Sequence, residues 1–560
     1  MLDNPHWNVV GAPIPDWAQA LEWRDHLILT ALGIGLLGLL IALLSPLNYP
    51  FANDTAGYLQ EARNWLRGEG FLRGTDWTDI TREWAAFPLF PPGFAMEIAG
   101  LSKLGLSLPH AALAAAWLSW LLLLPAISYA LRPLVGRWAA IIIAALAVSS
   151  PGFVEYGYLA LSDAGMTLLS VLSLGILIRQ SYRQSACWQA ILLSGFLAGC
   201  AYSLRNAAAV LPLTVITYLG LNLLTRQSDW LTTLRTGLIW GSGFALLAFP
   251  LFFYNFHTFG SIQPYFSAHG GVDFGVVKAF RVSLWSLLLD LSAWRAVADM
   301  AWSIVAMALL LLPATLLLLW AGWRRWQRSP QVARSALLLL SLYAGLGFAL
   351  VVWGRSHFDW VEVTLTRQLM PYSWAVFAGI TWALQTDTPQ GNSSRRTRAL
   401  LLLGALLAAG RLVSIQIDLH READIRAAVD THGYVAAARL YPDSVLTNRI
   451  KQNTRHDHDL MNLLKSLPDK AHIVSNQAQL LSLETGRHIR SFEPTARNLS
   501  ELAALRRHIG DRVVILAMLP TNAILRSGQA DTWQDETLRQ ISSGYRILMR
   551  TPTVLVISLP

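Results

Sequence analysis

Two carboxylates hold most of the chemical interest of this 560-residue chain. Asp54 opens the stretch F-A-N-D-T-A-G-Y-L-Q-E-A-R-N-W-L-R-G-E-G-F (51–71), where Asp54, Tyr58, Glu61 and Trp65 recur at helical spacing. One helix face would then carry an acid, a phenol and a second acid, while Leu59, Ala62 and Leu66 line another face. Gly68 and Gly70 would stop the helix. Taken by itself, this is an amphipathic helix at a membrane surface. Asp163 follows a polar-aromatic loop and opens an apolar run. A helix start welcomes a carboxylate as a cap, so Asp163 alone reads equally as cap or as functional acid. Either acid could take a proton from an attacking hydroxyl.

Cations accompany them: Arg63, Arg82, Arg205, Lys278, Arg355, His357 and Arg367. The planar fork of arginine donates two parallel hydrogen bonds to phosphate oxygens. Each of these residues singly reads as a snorkelling or interface charge. Several around one cavity with two acids would suit a phosphate leaving group beside a catalytic base. P-loop, G-x-S-x-G and H-E-x-x-H patterns are absent from the sequence. The R-H-D-H-D-L run at 455–460 reads as the solvated start of a helix.

The elements that must position these groups are membrane spans. The chain is 54% hydrophobic and 14% charged, against about 25% charged in soluble domains. A net charge of +9 could suggest nucleic acid, but the arginines sit in short connections between apolar runs, a topology signal instead. Cys187 and Cys200 show no metal spacing and exclude a disulfide framework. About eleven spans are expected, at His26–Ser45, Leu108–Leu131, Leu134–Ser150, Asp163–Ile178, Cys187–Leu204, Ala207–Leu224, Leu234–Phe253, Val297–Gly322, Val332–Trp353, Leu369–Leu384 and Ala399–Ile417. The first reads as an uncleaved signal anchor. Arginine-bearing connections alternate, which sets the N-terminus in the cytoplasm. Asp54, Asp163 and the loops holding the cations then share the opposite face.

From about Asp418 the chain turns polar, with helical patterns at Arg421–Leu440 and Leu460–Leu467. Four β-like runs follow: A-H-I-V-S, H-I-R-S-F, R-V-V-I-L-A-M-L and Y-R-I-L-M-R-T-P-T-V-L-V-I-S-L, the last broken by a turn at Thr551-Pro552. The expectation is a polytopic α-helical domain over 1–417, including an external loop at 46–107 with juxtamembrane helices. A small extracytoplasmic α/β domain would occupy 418–560.

In order and placement, several motifs resemble the GT-C superfamily of glycosyltransferases that use polyprenyl-phosphate-linked sugars. Bacterial protein O-mannosyltransferases and aminoarabinose transferases are the relatives with the most similar pattern. The resemblance covers Ile28 to Leu384. It rests on Asp54 with Tyr58 and A-R-N-W-L-R-G-E-G-F, on F-P-P-G (Phe90–Gly93), and on Ser162-Asp163. Y-S-L-R-N, N-F-H-T-F-G-S (Asn255–Ser261) and T-R-Q-L-M-P (Thr366–Pro371) complete it. It implies that Asp54 is the catalytic base and Asp163 a second essential acid. It implies a lipid-phosphate sugar donor, a lipid, glycan or protein acceptor, and a bacterial inner membrane with the tail in the periplasm. Many relatives carry an acid where this chain has Thr55. Aminoarabinose transferases carry Lys where this chain has Phe90, so here other cations must hold the donor phosphate.

Single-step displacement would invert the anomeric centre and needs no carboxylate nucleophile. Asp163 is then left to orient the acceptor or to hold, with Asp54, a divalent ion such as Mg or Mn. A transporter would place its ionisable residues inside spans near the midplane, whereas these acids sit at one edge. A non-catalytic envelope-assembly protein is the other rival.

Overall fold

A computed structural model of the protein describes residues 53–74, 84–86, 90–150, 159–183, 187–262, 316–357, 366–385, 458–468, 471–476, 478–492, 514–518, 533–540, 545–551 and 554–559, with a few single positions besides. The chain forms two compact units. The first comprises Met1–Leu39, Pro88–Phe94 and Leu113–Gln416, and the second Leu40–Phe87, Ala95–Ala112 and Ile417–Pro560. The chain thus changes unit between Gln416 and Ile417, and most of the 46–107 loop belongs with the tail.

In chain order, α1 (Asn53–Leu66) precedes a two-stranded antiparallel ribbon of β1 (Leu72–Gly74) and β2 (Trp84–Ala86). Next come α2 (Gly93–Lys103), α3 (Leu108–Val135), α4 (Arg137–Val148), α5 (Asp163–Ser181) and α6 (Trp188–Leu204). A 3₁₀ turn at Asn206–Ala209 leads into α7 (Val210–Leu224), followed by α8 (Trp230–Phe259), α9 (Gln331–His357) and the short α10 (Thr366–Leu369). A second 3₁₀ turn, Met370–Tyr372, enters α11 (Ser373–Leu384). Five helices among the described residues are long and apolar enough to cross a membrane: Leu108–Val135, Asp163–Ser181, Asn206–Leu224, Trp230–Phe259 and Gln331–Gly354. The expected first and last spans, and all but the end of the eighth, lie outside the described residues, as does Arg421–Leu440.

Small residues let the helices of the first unit approach closely. Gly195 and Gly199 of α6 form a G-x-x-x-G pair facing α8, and a methyl on Gly195 would lie 1.9 Å from the Trp240 carbonyl oxygen. Hydroxyls tie the same helices together. Ser173 Oγ donates to the Ser194 carbonyl at 2.9 Å, Ser194 Oγ returns the bond to Ser173 O at 2.9 Å, and Trp240 Nε1 donates to Ser194 Oγ at 3.1 Å. Within α3, Pro133 has no N–H to offer the carbonyl of Tyr129 one turn earlier. Arg179 of α5 supplies the missing donor, with Nε 3.1 Å from Tyr129 O and its guanidinium 3.9 Å over the Tyr129 ring.

In the second unit, α1 ends at Leu66, and Gly68 and Gly70 take φ of 82° and 92°, a left-handed exit open to glycine. Asn64 Nδ2 donates to Leu72 O at 3.0 Å and fixes β1 against the helix. Trp65 stacks on Phe71 at 5.8 Å and lies 4.8 Å beneath the Lys103 ammonium. The tail supplies α12 (His458–Ser466), β3 (His472–Ser475), α13 (Ala478–Thr485), β4 (Ile489–Ser491), β5 (Val514–Met518), α14 (Trp533–Gln540), β6 (Arg546–Thr551) and β7 (Val554–Leu559). All four β-like runs are strands, the last giving two. The sheet order is β4-β3-β5-β7-β6, parallel through β5 and antiparallel beyond it. Its core joins Leu460, Leu464, Ile473, Leu481, Ile489, Ile515 and Val556. Arg487 clasps the carbonyl end of α12, donating to Pro468 O at 2.6 Å and also to Leu467 O.

Helix α1 packs against α13 and β1. Thr55 through Ala62 are all buried, including Gln60 and Glu61. The expected surface helix with one wet face is therefore corrected. Tertiary packing covers its polar face as well, which the 3.6-residue period alone does not reveal.

Candidate anion site in the helical unit

Helix α5 begins at Asp163. Its N-cap is Ser162, whose side chain makes no capping bond. The Asp163 carboxylate is 2% exposed and is gripped by two arginines. Arg205 Nη1 lies 2.6 Å from Oδ2. Arg367 donates from Nε at 3.1 Å and from Nη2 at 3.0 Å to the same oxygen, with Oδ1 3.2 Å from Nε.

Each partner is placed by a local break in helical structure. Arg205 is the junction between α6 and the 3₁₀ turn, with extended φ and ψ of −153° and 136°. Its backbone N–H still closes α6 on Ala201 O at 3.1 Å, so the side chain leaves from a fixed point. Arg367 sits in the single turn of α10 before Met370–Tyr372. Beneath that turn, Tyr372 packs edge-on to Tyr343 (5.0 Å) and Phe348 (5.9 Å), and Tyr343 OH donates to Pro371 O at 3.3 Å. Gly347 makes room, since a Cβ there would stand 2.2 Å from the Tyr372 ring.

Two guanidiniums meet one carboxylate in a largely buried place. Arg205 and Arg367 are 16% and 8% exposed at their side chains. Beyond its bond to Asp163, the Arg205 side chain makes no hydrogen bond among the described residues, which leaves donors for an anion. The donor set does not fit a divalent cation at Asp163: its oxygens are engaged, and two positive charges flank the position. Among the described residues no three His, Cys, Asp or Glu side chains form a metal-binding group.

Of the sequence candidates, the structure therefore brings Asp163, Arg205 and Arg367 together. Asp54, Tyr58 and Arg63 lie on α1 in the second unit, with Tyr58 fully buried and Asp54 and Arg63 partly so. Arg355 and His357 fall in the last turn of α9 and their side chains lie outside the described residues, as do Arg82 and Lys278 entirely. Tyr372 escaped sequence reasoning although it stands one residue past T-R-Q-L-M-P. It is buried within electrostatic reach of Arg205, and nothing in a lone Tyr at a span start marks it.

No protein-family model matches the chain, and no curated protein matches it significantly. Solved structures do. ArnT from Cupriavidus metallidurans bound to undecaprenyl phosphate is 14% identical, with a TM-score of 0.54 over 94% of this chain and 98% of that one. Its apo form gives 15% and 0.53 over the same shares. The oligosaccharyltransferase of Archaeoglobus fulgidus, tethered to an acceptor peptide containing the NVT sequon, is 10% identical, with a TM-score of 0.50 over 96% of this chain and 74% of that one. The chain thus shares its overall fold with ArnT and with the archaeal oligosaccharyltransferase.

Proposed function

We propose that the chain is a membrane glycosyltransferase that moves a sugar from a polyprenyl-phosphate donor to an acceptor hydroxyl. The observation that carries this reading is the buried Arg205–Asp163–Arg367 cluster, in which Arg205 keeps donors beyond its bond to Asp163, in a chain of GT-C-like fold. In this reading Asp163 orients the two guanidiniums, and the arginines take up charge that develops on phosphate oxygen as the glycosidic bond breaks. Phosphate is already a competent leaving group, so alignment and charge neutralisation are the main tasks of the protein.

Asp54 is the proposed general base. It removes the acceptor hydroxyl proton as that oxygen attacks the anomeric carbon, and a single displacement inverts the centre. Tyr58, Arg63, Arg82, Lys278, Arg355 and His357 are retained as proposed substrate contacts. The proposed setting is a bacterial inner membrane crossed by about eleven helices, with a cytoplasmic N-terminus and a periplasmic tail, and with a lipid, glycan or protein acceptor.

Detergent-purified protein given a radiolabelled polyprenyl-phosphate sugar and a membrane extract as acceptor source tests the reading. Transfer is expected from wild type and not from Asp54→Asn, with the variant still folded. Arg205→Ala should weaken donor binding roughly ten- to hundredfold, the worth of charge-assisted hydrogen bonds of about 1.5–3 kcal/mol. Full transfer by Asp54→Asn removes the base assignment, and undiminished donor binding by Arg205→Ala removes the phosphate site.

A further inference from the structure

F-P-P-G ends at Gly93, the first residue of α2, and Y-S-L-R-N contains Ser203, two residues before Arg205. The two motifs meet in the first unit. A Cβ built on Gly93 would stand 2.3 Å from the Ser203 carbonyl oxygen, 2.6 Å from its carbonyl carbon and 2.8 Å from its Oγ. Gly93 is absent from the glycines with positive φ, so glycine supplies room here and not a special conformation. What it makes room for is backbone, which cannot swing aside as a side-chain tip can.

Ser203 lies in the last turn of α6. Its Oγ donates back to Cys200 O at 2.7 Å, and Arg205 N closes the same end on Ala201 O at 3.1 Å. The chain then turns extended at Arg205 alone before the 3₁₀ turn begins. Pressure on the Ser203 carbonyl therefore acts on the carboxyl end of α6, from which the Arg205 side chain departs toward Asp163.

We infer that Gly93 is a positioning residue for the Arg205 guanidinium: the bare Cα of F-P-P-G seats the end of α6 so that Arg205 reaches both Asp163 and an incoming phosphate. This rests on the phosphate-site reading above and adds to it a residue that touches no ligand. A methyl at position 93 pushes the α6 terminus away and moves Arg205 off its place. Moving Arg205 off its place can cost binding no more than that contact is worth, roughly ten- to hundredfold.

The experiment measures binding of undecaprenyl phosphate, without sugar, to full-length protein in detergent, alongside thermal unfolding. Gly93→Ala is expected to weaken binding by roughly tenfold or more, within that bound, while the protein remains folded. The decisive arm is the double variant. In an Arg205→Ala background, Gly93→Ala should change binding no further, since coupled residues are not additive. A purely structural glycine would lower affinity equally in both backgrounds, and that result overturns the inference. Ser203→Val crowds the same contact from the other side and is expected to repeat the pattern. Wild-type affinity in Gly93→Ala, or loss of folded protein in both Gly93→Ala and Ser203→Val, also overturns it. If Arg205→Ala alone leaves binding unchanged, the phosphate site itself has failed.

Discussion

A buried carboxylate held by two guanidiniums makes its own removal expensive. Asp163→Asn keeps the shape and deletes the charge, leaving Arg205 and Arg367 to repel one another in a largely buried site. Breaking such a group from one side costs about 3–5 kcal/mol, and this should show as a lowered unfolding midpoint of the purified protein. Asp54→Asn, on a different helix and outside this cluster, should unfold as wild type does while losing transfer. Arg367→Lys should also fail to restore the site, because an ammonium cannot reproduce the paired bonds from Nε and Nη2. Both acids and both arginines could be picked out of the sequence as chemistry-bearing residues on one expected face. The meeting of Asp163 with the two arginines could not, since Arg205 and Arg367 stand 42 and 204 residues from it and no local period links them. Gly93 was visible as part of a motif, but the reason for a glycine there is the Ser203 backbone, which only the fold brings near.

At the scale of elements, polar side chains finish what helices leave open. Arg179→Met would strand the Tyr129 carbonyl, at about 1–3 kcal/mol, the usual cost of an unmet buried acceptor. Restoring an N–H with Pro133→Ala should recover much of that loss, because α3 can then close its own ladder; chemical denaturation of the single and double variants reads the difference. Asp229 plays the capping role at the start of α8, accepting from Thr232 N and Oγ1, both at 2.8 Å. Those bonds, that from the Thr232 backbone first, hold its carboxyl below the usual carboxylate range. A depressed acid contributes stability above its unfolded value, near 3.9, and loses it as pH falls through the folded value. Amide protection at Thr232 should therefore decline only in strongly acid solution, and Asp229→Ala should abolish that decline. Helix starts such as Asp163 and strands such as Val554–Leu559 were legible because caps and β-branched runs are local signals. Burial of Gln60, Glu61 and Asn64 on α1 was not, since a helical period does not show what packs over a polar face.

Over the whole molecule, one compact unit runs as far as Gln416, and the other combines Leu40–Phe87 and Ala95–Ala112 with Ile417–Pro560. The tail strands could be read from sequence, whereas their order β4-β3-β5-β7-β6 could not, because a parallel core with an antiparallel edge is set by crossovers and not by composition. Since α1 rests on α13, a chain ending before residue 458 should leave α1 without that support. Limited proteolysis should then cut within 53–74, where the full-length protein resists. The same contact carries a timetable. The ribosome finishes α1 about 400 residues before it makes α13, a wait on the order of a minute at ordinary elongation rates. For that interval the helix bearing Asp54 has no tail to lean on, so the proposed base takes its final seat only near the end of synthesis.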